Sequence, residues 1–329
     1  MNDRSLLDLT ISLLPGLYVT EKLRLMDEFD GEDDLFVQSK IDIEKIIERS
    51  LKNFWDISEV RDRAGRIDTI CRMRSIKWVS SSSCDYPPLL REAYDPPPVI
   101  FYKGSLPHPE KSLIGIVGTR KPSQSAGEQI YKIAGNLGRA GISVVSGLAL
   151  GIDAMAHRGN LIGSAPGYAV LGCGIDEVYP SANKPLAKRI LDSGGALISE
   201  YPPGSTLGKW MFPARNRIIA ALSRSVLIAE APVKSGALIT AAFALEQGKD
   251  LWVASCGVQE DQSDDKIFFD KRGTTKLAAD GAEIIYSASD ILEKWNLIDV
   301  REQDKASLSS SSGREEMVSS VAGLLKIDI

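Results

Sequence analysis

The amino-acid sequence predicts an α/β fold: a doubly wound, Rossmann-like, mostly parallel sheet preceded by a small N-terminal helical domain. Two observations carry this. From residue 112 onward, short and continuously apolar runs alternate with helical stretches, the pattern of a parallel sheet covered on both faces. Before residue 85, apolar residues recur instead at helical spacing. The expected organisation is a helical domain over 1–84, a proline-rich lead-in over 85–111, a Rossmann-like domain over 112–300 and a flexible tail over 301–329.

Each element has its own signal. Leu6, Leu7, Leu9, Ile11, Leu13 and Leu14 precede Pro15-Gly16, and Leu23, Leu25, Met26 and Phe29 follow, which predicts two helices around a break. The acidic run from Asp27 to Asp34 repels phosphate, so this hairpin is read as structural. Prolines cluster at Pro87-Pro88, Pro96–Pro98, Pro107 and Pro109, where missing N–H groups and restricted neighbours favour an extended strap. The apolar runs are 113–117, 142–145, 168–171, 196–198, 226–229 and 251–254. Helices are predicted near 123–140, 152–163, 183–193, 215–223 and 235–248. In such sheets ligands bind beyond the carboxyl ends of the strands, so function is sought in the loops after each run. The polar, serine-rich stretch after residue 300 reads as a linker, and 317–329 as one short helix.

Composition narrows the function classes. No apolar run approaches the ~20 residues of a membrane span, and the N-terminus lacks the basic region of a secretory signal, so a cytoplasmic location is expected. Cys71, Cys84, Cys173 and Cys256 lie far apart with no C-x-x-C pair, and only His108 and His157 could add imidazole ligands, so neither metal nor disulfide chemistry is expected. The net charge of −5 hides an asymmetry: 113–249 holds 14 basic and 8 acidic side chains, whereas 250–300 holds 5 and 11. A polyanion responds to the local field rather than to the chain total.

Five loops carry candidate chemistry. Gly118-Thr119-Arg120 follows the first strand, where a helix N-terminus and a forked guanidinium suit an anion. Ser146-Gly147 opens the second loop, which ends at Asp153 as the expected helix N-cap. A Ser146/His157/Asp153 triad is disfavoured because Val144 stands where a nucleophile elbow needs glycine. Gly172-Cys173-Gly174 begins like a dinucleotide loop, but Glu177 occupies the last glycine position and would repel a pyrophosphate. Lys209, Trp210, Phe212, Arg215 and Arg217 interleave cations with rings, the chemistry of phosphate contact and base stacking, or else form a buried aromatic pair with ion-paired arginines. Lys234-Ser235-Gly236 lies at a further helix start, preceded by Glu230, which reads either as a general base or as an arginine partner. No Walker loop is present.

In order along about 140 residues, the segments VGTRKPS, SGLALGIDAMAH, AVLGCGIDEVYP, ISEYPPG, FPARNRIIAALS and EAPVKSGALITAAFALEQG resemble the DprA/Smf family of DNA-processing proteins. DYPPLLREAYDPPPVIFYKG is similar to the family's lead-in, and the N-terminal helices to its small SAM or helix-hairpin-helix-like domain. The resemblance implies a homodimeric, non-enzymatic protein without cofactor that binds and protects single-stranded DNA. It also implies hand-over of that DNA to the RecA recombinase in natural transformation. Carried onto matching positions, it implies DNA contacts from Gly118, Thr119, Arg120, Ser146, Gly147, Lys184, Arg215, Asn216, Arg217, Lys234, Ser235 and Gly236. Arg120, Arg215 and Arg217 are then expected to converge on one backbone path.

The sequence also departs from the family pattern. Ser125-Ala126 replaces Tyr-Gly, Ser255-Cys256-Gly257 replaces Pro-Gly, and GTTKLAADGA is altered in a region that the family uses for dimer and RecA contacts. The rival expectation is a Rossmann-like enzyme hydrolysing nucleoside monophosphates, because SGALITAAFALEQG is similar to the signature G-G-x-G-T-x-x-E. Glu230 or Glu246 would then be the acid or base.

Overall fold

The computed structural model describes residues 3–53, 55–258 and 269–297. Five helices come first: α1 (Asp3–Ser12), α2 (Val19–Glu28), α3 (Glu32–Phe36), α4 (Lys40–Ile47) and α5 (Ile57–Met73). Pro15-Gly16 separates α1 from α2, and Gly16 adopts a left-handed φ of 73° that favours glycine. The tail expected over 301–329, with the short helix expected over 317–329, lies outside the described residues.

A nine-stranded sheet follows, in the order β1-β2-β6-β5-β4-β3-β7-β8-β9. Its parallel part comprises β3 (Leu113–Val117), β4 (Ser143–Ser146), β5 (Tyr168–Leu171), β6 (Ala196–Ser199), β7 (Ser225–Ile228), β8 (Asp250–Ala254) and β9 (Glu283–Ile285). The short α6 (Pro88–Arg91) lies before the sheet's parallel part, and the connecting helices are α7 (Gln124–Arg139), α8 (Ile152–Ile162), α9 (Lys184–Asp192), α10 (Met211–Leu222) and α11 (Gly236–Glu246). The mostly parallel α/β architecture agrees with the fold class read from the sequence.

Three differences stand out. The stretch 85–111, expected as a strap, contributes β2 (Val99–Gly104), which pairs antiparallel with β6. β1 (Lys77–Ser80), inside the segment expected to be wholly helical, pairs antiparallel with β2. α10 also begins four residues earlier than expected, so the Trp210 segment is its first turn rather than a loop.

Strand alternation assigns the layers, since successive side chains point to opposite faces. Ile114 and Ile116 pack with α7 and α8, whereas Leu113 and Val117 pack with α10 and α11. The N-terminal helices are not a separate lobe: Leu7, Leu25 and Ile43 share one apolar cluster with Phe101 of β2 and Leu197 of β6. From β3 the chain winds towards β4, and from β7 it winds the other way towards β8. The carboxyl ends of the adjacent strands β3 and β7 therefore form a topological switch point, where ligands bind in open α/β sheets.

Candidate nucleic-acid interface

A cleft of about 640 Å³ opens at this switch point. One wall is the loop after β3, with Gly118, Thr119 and Arg120; the others come from α10 and from the start of α11. Arg120 is exposed, and among the described residues no ion pair occupies its guanidinium. The loop is held from below: the Thr119 N–H donates to the Glu230 carbonyl at 2.7 Å, and the Ser123 hydroxyl donates to the Glu230 carboxylate at 2.6 Å. Ser123 also caps α7 by accepting from the Ala126 N–H. Glu230, 1% exposed, thus fastens the first loop to the end of β7 and is not on the cleft lining.

The second loop packs against the first. The Ile152 N–H donates to the Thr119 carbonyl at 3.2 Å. Gly151 has a φ of 76°, and any Cβ there would run into the Thr119 and Arg120 backbone, so the two loops can approach only through glycine. Ser146, expected as a DNA contact, is fully buried and donates to the Ile116 carbonyl at 2.6 Å, tying β4 to β3. Gly147 is also buried, against the Arg215 guanidinium. Asp153 is not the N-cap, which is Gly151; its carboxylate lies in the first turn of α8 and accepts from the Gly147 and Ala149 N–H groups. Burial pushes the Asp153 carboxyl above its ordinary value, while the nearby Arg215 charge opposes that shift. His157 is fully buried, which lowers it to about 4, so the imidazole is neutral at physiological pH. With Ser146 and Asp153 engaged elsewhere, no Ser-His-Asp triad forms.

Arg215 and Arg217 lie on α10 but serve different places. Arg215 reaches the cleft floor, 6% exposed, where its Nη1 donates to the Gly147 carbonyl at 2.8 Å and to the Val170 carbonyl. Its Nε donates to Asn216, whose amide donates onward to the Gly236 carbonyl at 3.0 Å. This chain ties the ends of β4 and β5 to the start of α11, so Arg215 and Asn216 chiefly hold the cleft's walls in place. Arg217 does not join them. Its fork is taken by Glu200 at 2.6 and 3.0 Å and by Asp95 at 2.9 Å, on the other side of the helix. The expectation that three arginines converge on one path is therefore corrected: residues two apart on a helix point in divergent directions, and two partly buried carboxylates claim the second.

Further residues line the cleft, among them Lys209 and Phe212, which the sequence marks as a cation and a ring but not among the carried-over contacts. Lys209 is exposed at the rim, and Phe212 lies 5.5 Å from Tyr179, ring centroid to centroid. Ala149 and Thr240 also line the cleft. The Lys-x-x-Phe spacing just before α10 was the available signal, because it sets a cation and a ring on the cleft side of the helix start. Ser235 lines this cleft, and its buried Oγ has no hydrogen-bond partner among the described residues, an unmet polar atom beside the start of α11. Lys234 and Lys184 are exposed but do not line the cleft. Lys184 follows Asn183, whose amide donates to the Leu148 and Ala149 carbonyls, so it sits beside the second loop.

Among the described residues no cluster of three His, Cys, Asp or Glu side chains could hold a metal, and no helix is long and apolar enough to cross a membrane. Glu246, the rival acid or base, is exposed near the far end of α11 and does not line the cleft. The cleft thus offers free cations, two rings and an unmet hydroxyl, with its one acidic group buried on backbone N–H donors beside Arg215.

Comparison with known proteins identifies the family. The family described as DNA recombination-mediator protein A matches residues 77–296. Protein Smf of Synechocystis is 41% identical over 238 residues, 70% of this chain and 57% of the relative. Protein Smf of Borreliella burgdorferi is 31% identical over 289 residues, 88% of each chain. The crystal structure of DNA processing protein A from Streptococcus pneumoniae superposes with a TM-score of 0.68 at 30% identity, covering 89% of this chain and 98% of that one. DNA processing protein A from Helicobacter pylori, whose structure describes a single-stranded DNA binding mode, gives a TM-score of 0.56 at 26% identity, covering 67% of this chain and 95% of that one. The chain belongs to the DNA recombination-mediator protein A family, the DprA/Smf DNA-processing proteins.

Proposed function

We propose that the protein binds single-stranded DNA in the cleft at the β3/β7 switch point, as a non-enzymatic DNA-processing protein of the cytoplasm. The observation that carries this is the meeting of Arg120, Lys209 and the Ser235 hydroxyl with the Phe212 and Tyr179 rings in one open groove. Cations and donors suit a phosphate backbone, and rings suit unstacked bases, a combination that follows a single strand without reading its sequence. Gly236 lets backbone approach the ligand, Gly118 makes room for Ile152 beneath the first loop, and Ser146, Gly147, Arg215 and Asn216 hold the walls. Lys184 and Lys234, exposed beside the groove, extend its positive field. Membership of the family supports two finer parts of the reading, namely that the protein works as a homodimer and loads RecA during transformation.

The test is alanine replacement of Arg120 and Lys209. Each variant should weaken binding to oligo-dT and make the log–log salt slope shallower by about 0.7, one phosphate's share on a single strand, with the melting temperature unchanged. Unaltered affinity in both variants would remove the cleft from the interface. Release of free base from nucleoside monophosphates would favour the rival enzyme instead.

A further inference from the structure

Helix α10 presents two sets of residues on opposite faces. Phe212, Arg215 and Ile219 line the cleft described above, whereas Trp210, Ala214 and Arg217 line a second cleft of about 520 Å³. At about 100° per residue, 210, 214 and 217 fall on one face of a helix and 212 falls on the other. The far wall of the second cleft is the N-terminal helical region, through Leu13, Val19 and Lys22, and the Phe101 ring of β2 also lines it. The first turn of α10 is thus a ridge with a groove on each side.

The chemistry of the second groove differs from that of the first. Its charges are spent: Arg217 lies between Asp95 and Glu200, and the Lys22 ammonium donates to the Ser12 carbonyl at 2.5 Å beside the Glu200 charge. An anion gains little there. The rings are not spent. Trp210 is 65% exposed at the mouth, with Gly208 packed on its indole and Tyr201 in a T-shaped ring contact at a centroid separation of 5.7 Å. An exposed indole above an apolar-walled groove that also carries carboxylate acceptors suits a flat, uncharged ring with polar edges.

We propose that the second groove receives a base of the same DNA strand, which crosses the ridge at residues 209–211 while its phosphates stay with the cations of the first cleft. This rests on the single-strand reading above. A base tethered in this way needs no phosphate site of its own, which the neutralised charges could not supply to a free nucleotide.

The test compares short oligo-dT, about 4 nucleotides, with oligo-dT of about 12 nucleotides, which reaches both grooves. Trp210→Ala should weaken the long oligonucleotide about tenfold, the loss of one stacked base, and leave the short one unchanged. Val19→Trp, which fills the groove from the helical wall and leaves the ridge untouched, should do the same. An equal loss for both lengths, no loss with either variant, or a loss with Trp210→Ala alone would overturn the proposal. So would a change in tryptophan emission on adding dTMP that Trp210→Phe abolishes, because the groove would then serve a free nucleotide. Arg120→Ala separates the two readings: it weakens both lengths if the first cleft holds the strand, and wild-type protein that binds neither length refutes the first reading and this one with it.

Discussion

Replacing Arg217 by alanine should unfold the protein more easily without removing a phosphate contact. The Arg217 side chain is 8% exposed and makes charge-assisted hydrogen bonds to Glu200, 18% exposed, and Asp95, 37% exposed. Deleting one member of a buried pair strands its partners, at a cost of about 3–5 kcal/mol. The exposure of Asp95 screens its share, so the lower end of that range, about 3 kcal/mol, applies here. At roughly 2–4 °C per kcal/mol for a chain of this size class, the melting temperature should fall by about 6–12 °C. Thermal melts by circular dichroism, run beside Arg120→Ala, make the contrast: the exposed Arg120 should change stability by no more than about 0.5 kcal/mol. An unchanged melting temperature for Arg217→Ala, together with lost DNA affinity, would place Arg217 in the interface and refute this assignment.

Two other perturbations probe the scaffold. Gly151→Ala forces a Cβ into the Thr119 and Arg120 backbone at a left-handed φ, so it should lower both stability and oligo-dT affinity, read from melts and fluorescence anisotropy; unaltered affinity would show that the two loops need no close approach. His157 is held at about 4 by burial against about 6.5 in the unfolded chain, so the unfolded state binds the proton first as pH falls. Its contribution is complete above pH 6.5 and is lost as pH falls towards 4, by roughly 3 kcal/mol, in the direction opposite to that of the raised Asp153 carboxyl. His157→Asn should flatten the denaturant midpoint between those pH values, and an identical pH profile in the variant would contradict it.

The central architecture was legible because continuous apolar runs such as Leu113–Val117 have few other uses than a strand buried on both faces. β1 and β2 were hidden by local chemistry: the Pro-rich stretch before Val99 reads as a strap, and only the exposed edge of β6 turns it into a strand. The divergence of Arg215 and Arg217 was visible in their spacing, but their fates were not. Arg217 meets Glu200 and Asp95 across 17 and 122 residues of chain, and Arg215 meets the carbonyls of Gly147 and Val170, none of which local sequence can pair. Glu230 illustrates the same limit. A carboxylate at a strand end reads as a base or an arginine partner until the Ser123 hydroxyl and N–H groups are found on it.

The account rests on a groove shaped for a strand whose bases are free to stack. Competition between fluorescent oligo-dT and unlabelled duplex of equal length, at two salt concentrations, tests that claim most directly. Oligo-dT should bind more tightly than duplex at both concentrations, because a duplex keeps its bases from the Phe212 and Tyr179 rings while offering the same phosphates to Arg120 and Lys209. Equal or tighter binding of the duplex would contradict it.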